Sequence, residues 1–175
     1  MRLLFTLDSK DYDPNGTVRT RPSVRAIICR DGKVAMVRSR KYDYYKFPGG
    51  GIEPGETMKQ ALIRETREEA GLAVLPESIR EYGYVHRVMK GEKEDMFVQD
   101  NYYYLCRTSP QRLGQQLDDY EAEERFTLEY ISPQEAICVN RTHDHGPKSQ
   151  QMLEREARVL ECLMAEGFLS GEKGE

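Results

Sequence analysis

The sequence predicts an α/β domain in which helices pack in layers on a mixed sheet. Three observations carry this. Short apolar runs with strand character recur before and after a helix-forming segment, that segment is bracketed by recognisable cap residues, and a second amphipathic helix closes the chain. The chain has 175 residues and no internal repeat, low-complexity tract or long Pro/Gly/Ser linker. It therefore reads as one domain over residues 1–175, long enough to bury a core without disulfide staples.

Taken in order, residues 1–16 read as a short strand followed by a polar turn that ends in Pro14-Asn15-Gly16. Val24 to Cys29 and Val34 to Val37 flank Asp31-Gly32, a hairpin signal. Arg38, Ser39, Arg40 and Lys41 then leave the core. Tyr44, Tyr45 and Phe47 lead into Gly49-Gly50-Gly51, and these aromatics either stack on a nucleobase or pack the strand, with Phe47 assigned to the core. Thr57 and Gln60 form a capping box for a helix that Gly71 ends.

Beyond that helix, Arg80 to Met89 and Met96 to Cys106 are extended and separated by a charged turn, so an antiparallel pair is expected. Alternation puts Tyr102 and Tyr104 on one face and Tyr103 on the other. Residues 108–125 read as a long polar connection, followed by a strand from Phe126 to Ile131. Ser132-Pro133-Gln134-Glu135 starts a short helix to about Val139, and a polar loop carries His143 and His145, for which no third metal ligand stands at a known spacing. The C-terminal helix, residues 148–166, has an apolar stripe of Leu153, Ala157, Leu160 and Met164 that packs on the sheet or on a second subunit. A homodimer is one expectation from that stripe. Gly167 ends the helix and Gly171 to Glu175 are expected to fray.

Charge and composition exclude several classes of function. A net charge of −4 argues against a protein that stably binds nucleic acid duplexes, whose basic face would dominate the balance. The four cysteines lie far apart with no C-x-x-C spacing, which points to small core residues in a reducing compartment. No apolar run reaches membrane-spanning length, and Leu3 to Leu7 is too short for a secretory leader, so a soluble cytoplasmic protein is expected.

The chemistry is concentrated in the capped helix. Glu65, Glu68 and Glu69 occupy positions i, i+3 and i+4, so three carboxylates share about a 100° arc of helix surface. Like charges at this spacing cost about 0.2–0.5 kcal/mol per pair, and the last helical turn disfavours anions by a further ~0.3–1 kcal/mol. One reading is a solvated face in which Arg64 pairs with Glu68. The other is a cation site. Clustered carboxylates without Cys or His suit a hard divalent ion, Mg²⁺ or Mn²⁺.

The whole segment GGGIEPGETMKQALIRETREEAGL resembles the signature of the Nudix hydrolase family, G-x5-E-x7-R-E-U-x-E-E-x-G-U with U a bulky apolar residue. Gly50, Glu56, Arg64, Glu65, Glu68, Glu69, Gly71 and Leu72 fall on the pattern, and Thr66 departs from it where an apolar residue is usual. The resemblance implies a Nudix-type α/β/α sandwich with a central mixed sheet, and hydrolysis of a diphosphate linkage in a nucleoside diphosphate derivative. It further implies that Glu65, Glu68 and Glu69 hold the metal with the Gly49 carbonyl as a further ligand, that Arg64 orients the carboxylates, and that Glu56 supports this network or a second metal. Arg38 or Arg40 would hold substrate phosphates, unless they are simply an exposed edge, with Tyr45 beside them. A downstream acidic residue, among Asp118, Asp119, Glu121, Glu123 and Glu124, would serve as base or extra ligand. The substrates expected are a nucleoside triphosphate or oxidised nucleotide first, and ADP-ribose or a nucleotide sugar second. A non-catalytic nucleotide sensor on the same scaffold is the alternative of another class.

Overall fold

A computed structural model describes residues 1–169; the terminal segment expected to fray, Gly171 to Glu175, lies outside the described residues. Eleven strands and four α-helices follow one another among those residues. They are β1 (Leu3–Asp8), β2 (Val18–Thr20), β3 (Ser23–Ile27), β4 (Cys29–Arg30), β5 (Lys33–Ser39) and β6 (Tyr44–Lys46). Next come α1 (Met58–Ala70), β7 (Leu72–Val74), β8 (Arg80–Met89), β9 (Met96–Leu105), β10 (Thr108–Arg112) and α2 (Asp119–Glu123). The chain closes with β11 (Phe126–Ile131), α3 (Pro133–Thr142) and α4 (Gln150–Ala165).

The strands form a mixed sheet ordered β1-β8-β9-β2, with β3 also paired to β9. Here β8 and β9 run antiparallel, while β1, β2 and β3 run parallel to their partners. An antiparallel sheet ordered β11-β5-β4, with β6 on β5, and a small β7-β10 pair complete the described sheets. The mixed α/β architecture agrees with expectation, although its strands divide between sheets instead of forming one. Asp31 and Gly32 both have positive φ, 51° and 70°, which is what the two-residue β4-β5 turn requires.

Apolar residues bury two clusters on opposite sides of these sheets. One joins Val24, Ala35, Val37, Tyr44 and Tyr104 to Ala61, Leu62 and Ala70 of α1. The other joins Met36, Tyr45, Phe47 and Tyr103 to Ala136 of α3 and Val159, Leu160 and Leu163 of α4. Of the stripe on α4, Leu153, Ala157 and Leu160 are buried within the chain and Met164 is half-buried, so most of the surface that motivated a homodimer is covered internally. No described helix is long and apolar enough to cross a membrane.

Two expectations need correction. Residues 108–125 are not one long connection, because β10 pairs with β7 and α2 forms behind the cap at Asp118. Polar composition concealed both: β10 is an exposed edge strand and α2 a single turn or so. The cysteines are also not mostly core residues, since only Cys106 is buried while Cys29 and Cys138 are exposed.

Helix α1 begins at Thr57, whose hydroxyl accepts from the Gln60 amide at 3.3 Å while the Gln60 side chain accepts from the Thr57 amide at 2.9 Å. It ends at Gly71 in the left-handed region, φ 63°, where a Cβ would stand 2.4 Å from the Leu113 carbonyl oxygen. Thr66 lies fully buried on its packed face, and its hydroxyl has no hydrogen-bond partner. Such a group costs about 1–3 kcal/mol. Thr66→Val, which keeps the shape and removes the orphan, is expected to raise stability by about 1 kcal/mol, read as a melting midpoint about 2–4 °C higher. An unchanged or lower midpoint would show that the hydroxyl is satisfied in solution.

Candidate active site

The glycine segment is fixed against β3 by backbone pairing. The Ala26 amide donates to the Pro48 carbonyl at 2.8 Å and the Val24 amide to the Gly50 carbonyl at 2.9 Å. Gly49 has φ 140°, and a Cβ there would stand 2.0 Å from the Val24 oxygen, so this crossing tolerates no side chain. At Gly50 a Cβ would stand 2.5 Å from a Glu65 carboxylate oxygen. The glycines therefore let α1 lay a carboxylate directly on the loop.

Arg64 organises the carboxylates. Its guanidinium grips Glu56 in a bidentate pair, Nε and Nη2 each at 2.9 Å, while Nη1 donates to Glu65 at 2.9 Å and to Glu68 at 3.1 Å. Nη2 also reaches the Gly51 carbonyl at 3.1 Å, tying loop to helix. These bonds, led by that to Glu56, raise the Arg64 pKa, and in return they lower that of Glu56. Glu65 behaves oppositely: burial raises its pKa and outweighs the pull of Arg64.

Glu69 is 1 % exposed and turned inward. One oxygen pairs with the Lys46 ammonium and the other accepts the Gly49 amide at 2.9 Å. Glu121, carried by α2, lies against Glu69, and burial first and this neighbouring carboxylate second raise its pKa. Of the five downstream acids, Glu121 is the one in contact with the cluster. Glu124 is tied to Ser39, Tyr44 and Lys148, Glu123 pairs with Lys41, and Asp118 caps α2.

Arg38, Arg40 and Tyr45 are not brought to this cluster. Strand alternation turns them to the face of β5, β6 and β11 opposite α1, where all three converge on Glu129. Tyr45 donates to Glu129 at 2.8 Å, Arg40 pairs with it at 2.8 Å, and Arg38 lies over the Tyr45 ring. His143 and His145 form no metal pair: His143 meets Asp43 at 2.6 Å, and buried His145 bridges the Tyr42 and Asn140 carbonyls. Lys46 and Arg25, which donates to the Phe47 and Gly49 carbonyls, were missed in the sequence. The available signal was a lone cation inside each of two otherwise apolar runs.

Among the described residues no three Asp, Glu, His or Cys side chains converge into a ready-made cage, because Arg64 and Lys46 already occupy the carboxylates. The donor set nevertheless fits a hard divalent cation. It offers only oxygen, and Glu65 is desolvated with its charge incompletely met.

Asp43 carries a separate test. His143 first, then Arg38, lower its pKa, so its contribution to stability is present above the ordinary carboxylate range and is lost as pH falls through its folded value. Asp43→Asn is expected to lower stability at neutral pH and to flatten its decline below about pH 4. Denaturant midpoints measured across that range check this, and parallel acid limbs would refute it.

Comparison with known proteins agrees with the geometry. The chain matches the NUDIX domain over residues 19–155. It is 48 % identical over 54 residues to an RNA pyrophosphohydrolase of Serratia proteamaculans, and 49 % identical over 53 residues to one of Yersinia enterocolitica. These matches span 31 % and 30 % of the relatives' lengths and 30 % of this chain. In fold it resembles a NUDIX hydrolase from Nitrosomonas europaea, with TM-score 0.61 and 20 % identity over 85 % of this chain and 90 % of that one. It likewise resembles a MutT NUDIX hydrolase from Burkholderia pseudomallei, with TM-score 0.56 and 18 % identity over 82 % and 97 %. Signature, fold and domain match converge, and the chain belongs to the Nudix hydrolase family.

Proposed function

We propose that this protein is a pyrophosphohydrolase that, with Mg²⁺ or Mn²⁺, hydrolyses the diphosphate linkage of a nucleotide. The observation that carries this reading is the oxygen-only cluster beside the glycine segment: Glu56, Glu65 and Glu68 gathered by Arg64, and Glu69 held by Lys46 and the Gly49 amide. Glu65, Glu68 and Glu69 are the residues that would hold the cation, with the Gly49 carbonyl beside them. A bound divalent ion would neutralise the substrate phosphates and acidify the attacking water.

The chain's own groups have separable tasks. Arg64 holds Glu56, Glu65 and Glu68 in register, and Glu56 fixes Arg64 in turn. Lys46 and the Gly49 amide fix Glu69. Glu121, the downstream acid that lies against Glu69, is the group we place to take a proton from the attacking water. The new P–O bond forms as the phosphoanhydride P–O bond breaks, and the leaving phosphate carries off the electron pair.

A nucleoside triphosphate or oxidised nucleotide is our first substrate, and ADP-ribose or a nucleotide sugar the second. The name of the partial relatives, RNA pyrophosphohydrolase, favours adding a third, an RNA. Four free cysteines support a reducing, cytoplasmic setting.

Chromatography of the products formed from each panel member (a nucleoside monophosphate with pyrophosphate, or with a sugar phosphate), with and without Mg²⁺, tests the proposal. Glu68→Gln is the cleaner variant because Glu68 is the more exposed carboxylate, whereas Glu69→Gln also strips buried Lys46 of its counter-charge and would destabilise the fold. Glu68→Gln is expected to lower Mg²⁺-dependent turnover by about 10²-fold with the melting midpoint retained. Near-normal turnover would sink the metal-site assignment. Binding without hydrolysis of any panel member would favour the sensor.

A further inference from the structure

The strand that delivers the glycine loop has an unusual set of hydrogen-bond partners. From Tyr44 to Gly50 it passes from one sheet to the other: β6 pairs with β5, and Pro48 and Gly50 pair with β3. The backbone groups of Tyr45, Phe47 and Gly49 meet side chains instead of a third strand. Asn140 of α3 takes both sides of Tyr45, accepting from its amide and donating to its carbonyl, each at 2.8 Å. Glu156 of α4 accepts the Phe47 amide at 3.1 Å, and Glu69 accepts that of Gly49. Arg25 donates to the Phe47 and Gly49 carbonyls.

Glu156 is fully buried and is held in turn. Arg155 donates to it through Nε at 2.9 Å and through Nη2, and Arg155 Nη1 reaches Asn101 of β9 at 2.5 Å. The Ser23 hydroxyl donates to the same Asn101 oxygen at 2.8 Å, and Ser23 forms a bridge with Gly51. A continuous buried path therefore leaves the strand at Phe47, runs through α4 and β9, and returns to the loop at Gly51. Burying this ion pair gives little stability by itself, since apolar replacements of such pairs are often neutral or better. What the pair does fix is the position of an acceptor.

We propose that Glu156, braced by Arg155 and Asn101, is a positioning residue for the active site: its carboxylate, together with Arg25, sets the Phe47–Gly51 backbone and so aims the Gly49 carbonyl. The proposal rests on reading the glycine loop as part of the catalytic cluster. Neither residue need touch substrate. Both act on a backbone whose Gly49 crossing has no room for a side chain against Val24.

Paired substitutions separate positioning from bulk stability. Arg155→Met with Glu156→Gln removes the buried charges together but keeps an acceptor for Phe47, whereas Arg155→Met with Glu156→Leu removes the acceptor as well. Mn²⁺ binding to the substrate-free protein, read by electron paramagnetic resonance, is expected to weaken about tenfold in the Leu pair relative to the Gln pair. kcat should fall about 10- to 100-fold, with KM within about threefold. Arg25→Lys, which leaves α4 untouched and keeps the positive charge near Glu65 while losing the guanidinium that reaches both the Phe47 and Gly49 carbonyls, should also weaken Mn²⁺ binding. Equal Mn²⁺ affinity in the two pairs overturns the proposal. Should the Leu pair fail to fold, equal affinity in Arg25→Lys and the parent does so. Because metal binding is read without turnover, a parent that hydrolyses nothing yet shows the predicted split would overturn only the hydrolase reading.

Discussion

An excess of negative charge in one corner of the protein governs the arrangement around it. Glu56, Glu65, Glu68, Glu69 and Glu121 lie together, and Arg64 and Lys46 are the cations in direct contact with them. Burial and charge pairing pull neighbouring groups in opposite directions: the Arg64 pairing drives Glu56 toward its charged form, while burial holds Glu65 and Glu121 away from theirs, against the pull of Arg64, Arg25 and Lys46 on Glu65. Such a corner is stable only as part of a larger fold that holds it in place.

Much of this was legible in the sequence because it is local. Caps, the positive-φ Asp31-Gly32 turn and the i, i+3, i+4 carboxylates depend on residues within a turn or two of one another, and each stands where its spacing requires. The alternation of Tyr102, Tyr103 and Tyr104 likewise sorted them onto the faces observed. What remained hidden depends on the other end of a contact. Nothing adjacent to Lys46 says that it will meet Glu69, and nothing in α4 says that Glu156 will bond Phe47 across the core. Among five downstream acids, only tertiary packing singles out Glu121.

Arg38, Arg40 and Tyr45 show the limit from the other side. The family resemblance implies substrate phosphates at Arg38 or Arg40, with an exposed edge as the alternative, yet in a strand each residue faces opposite to its neighbour. Tyr45 turns to Glu129 while the adjacent Lys46 turns to Glu69. Chain proximity to a site thus says little until the phase of the strand is known. Here the phase was available, since Phe47 was assigned to the core and Tyr45 shares its face.

The passage of one strand between two sheets has a kinetic corollary. A loop attached to a single edge can open by local fraying, but the Tyr44–Gly50 segment is bonded to β5 at one end and β3 at the other, with α3 and α4 holding its centre. Freeing it means parting both sheets at once. Amide protons along it should then exchange with solvent only through openings close to global unfolding, so the site's backbone and the fold would form a single cooperative unit.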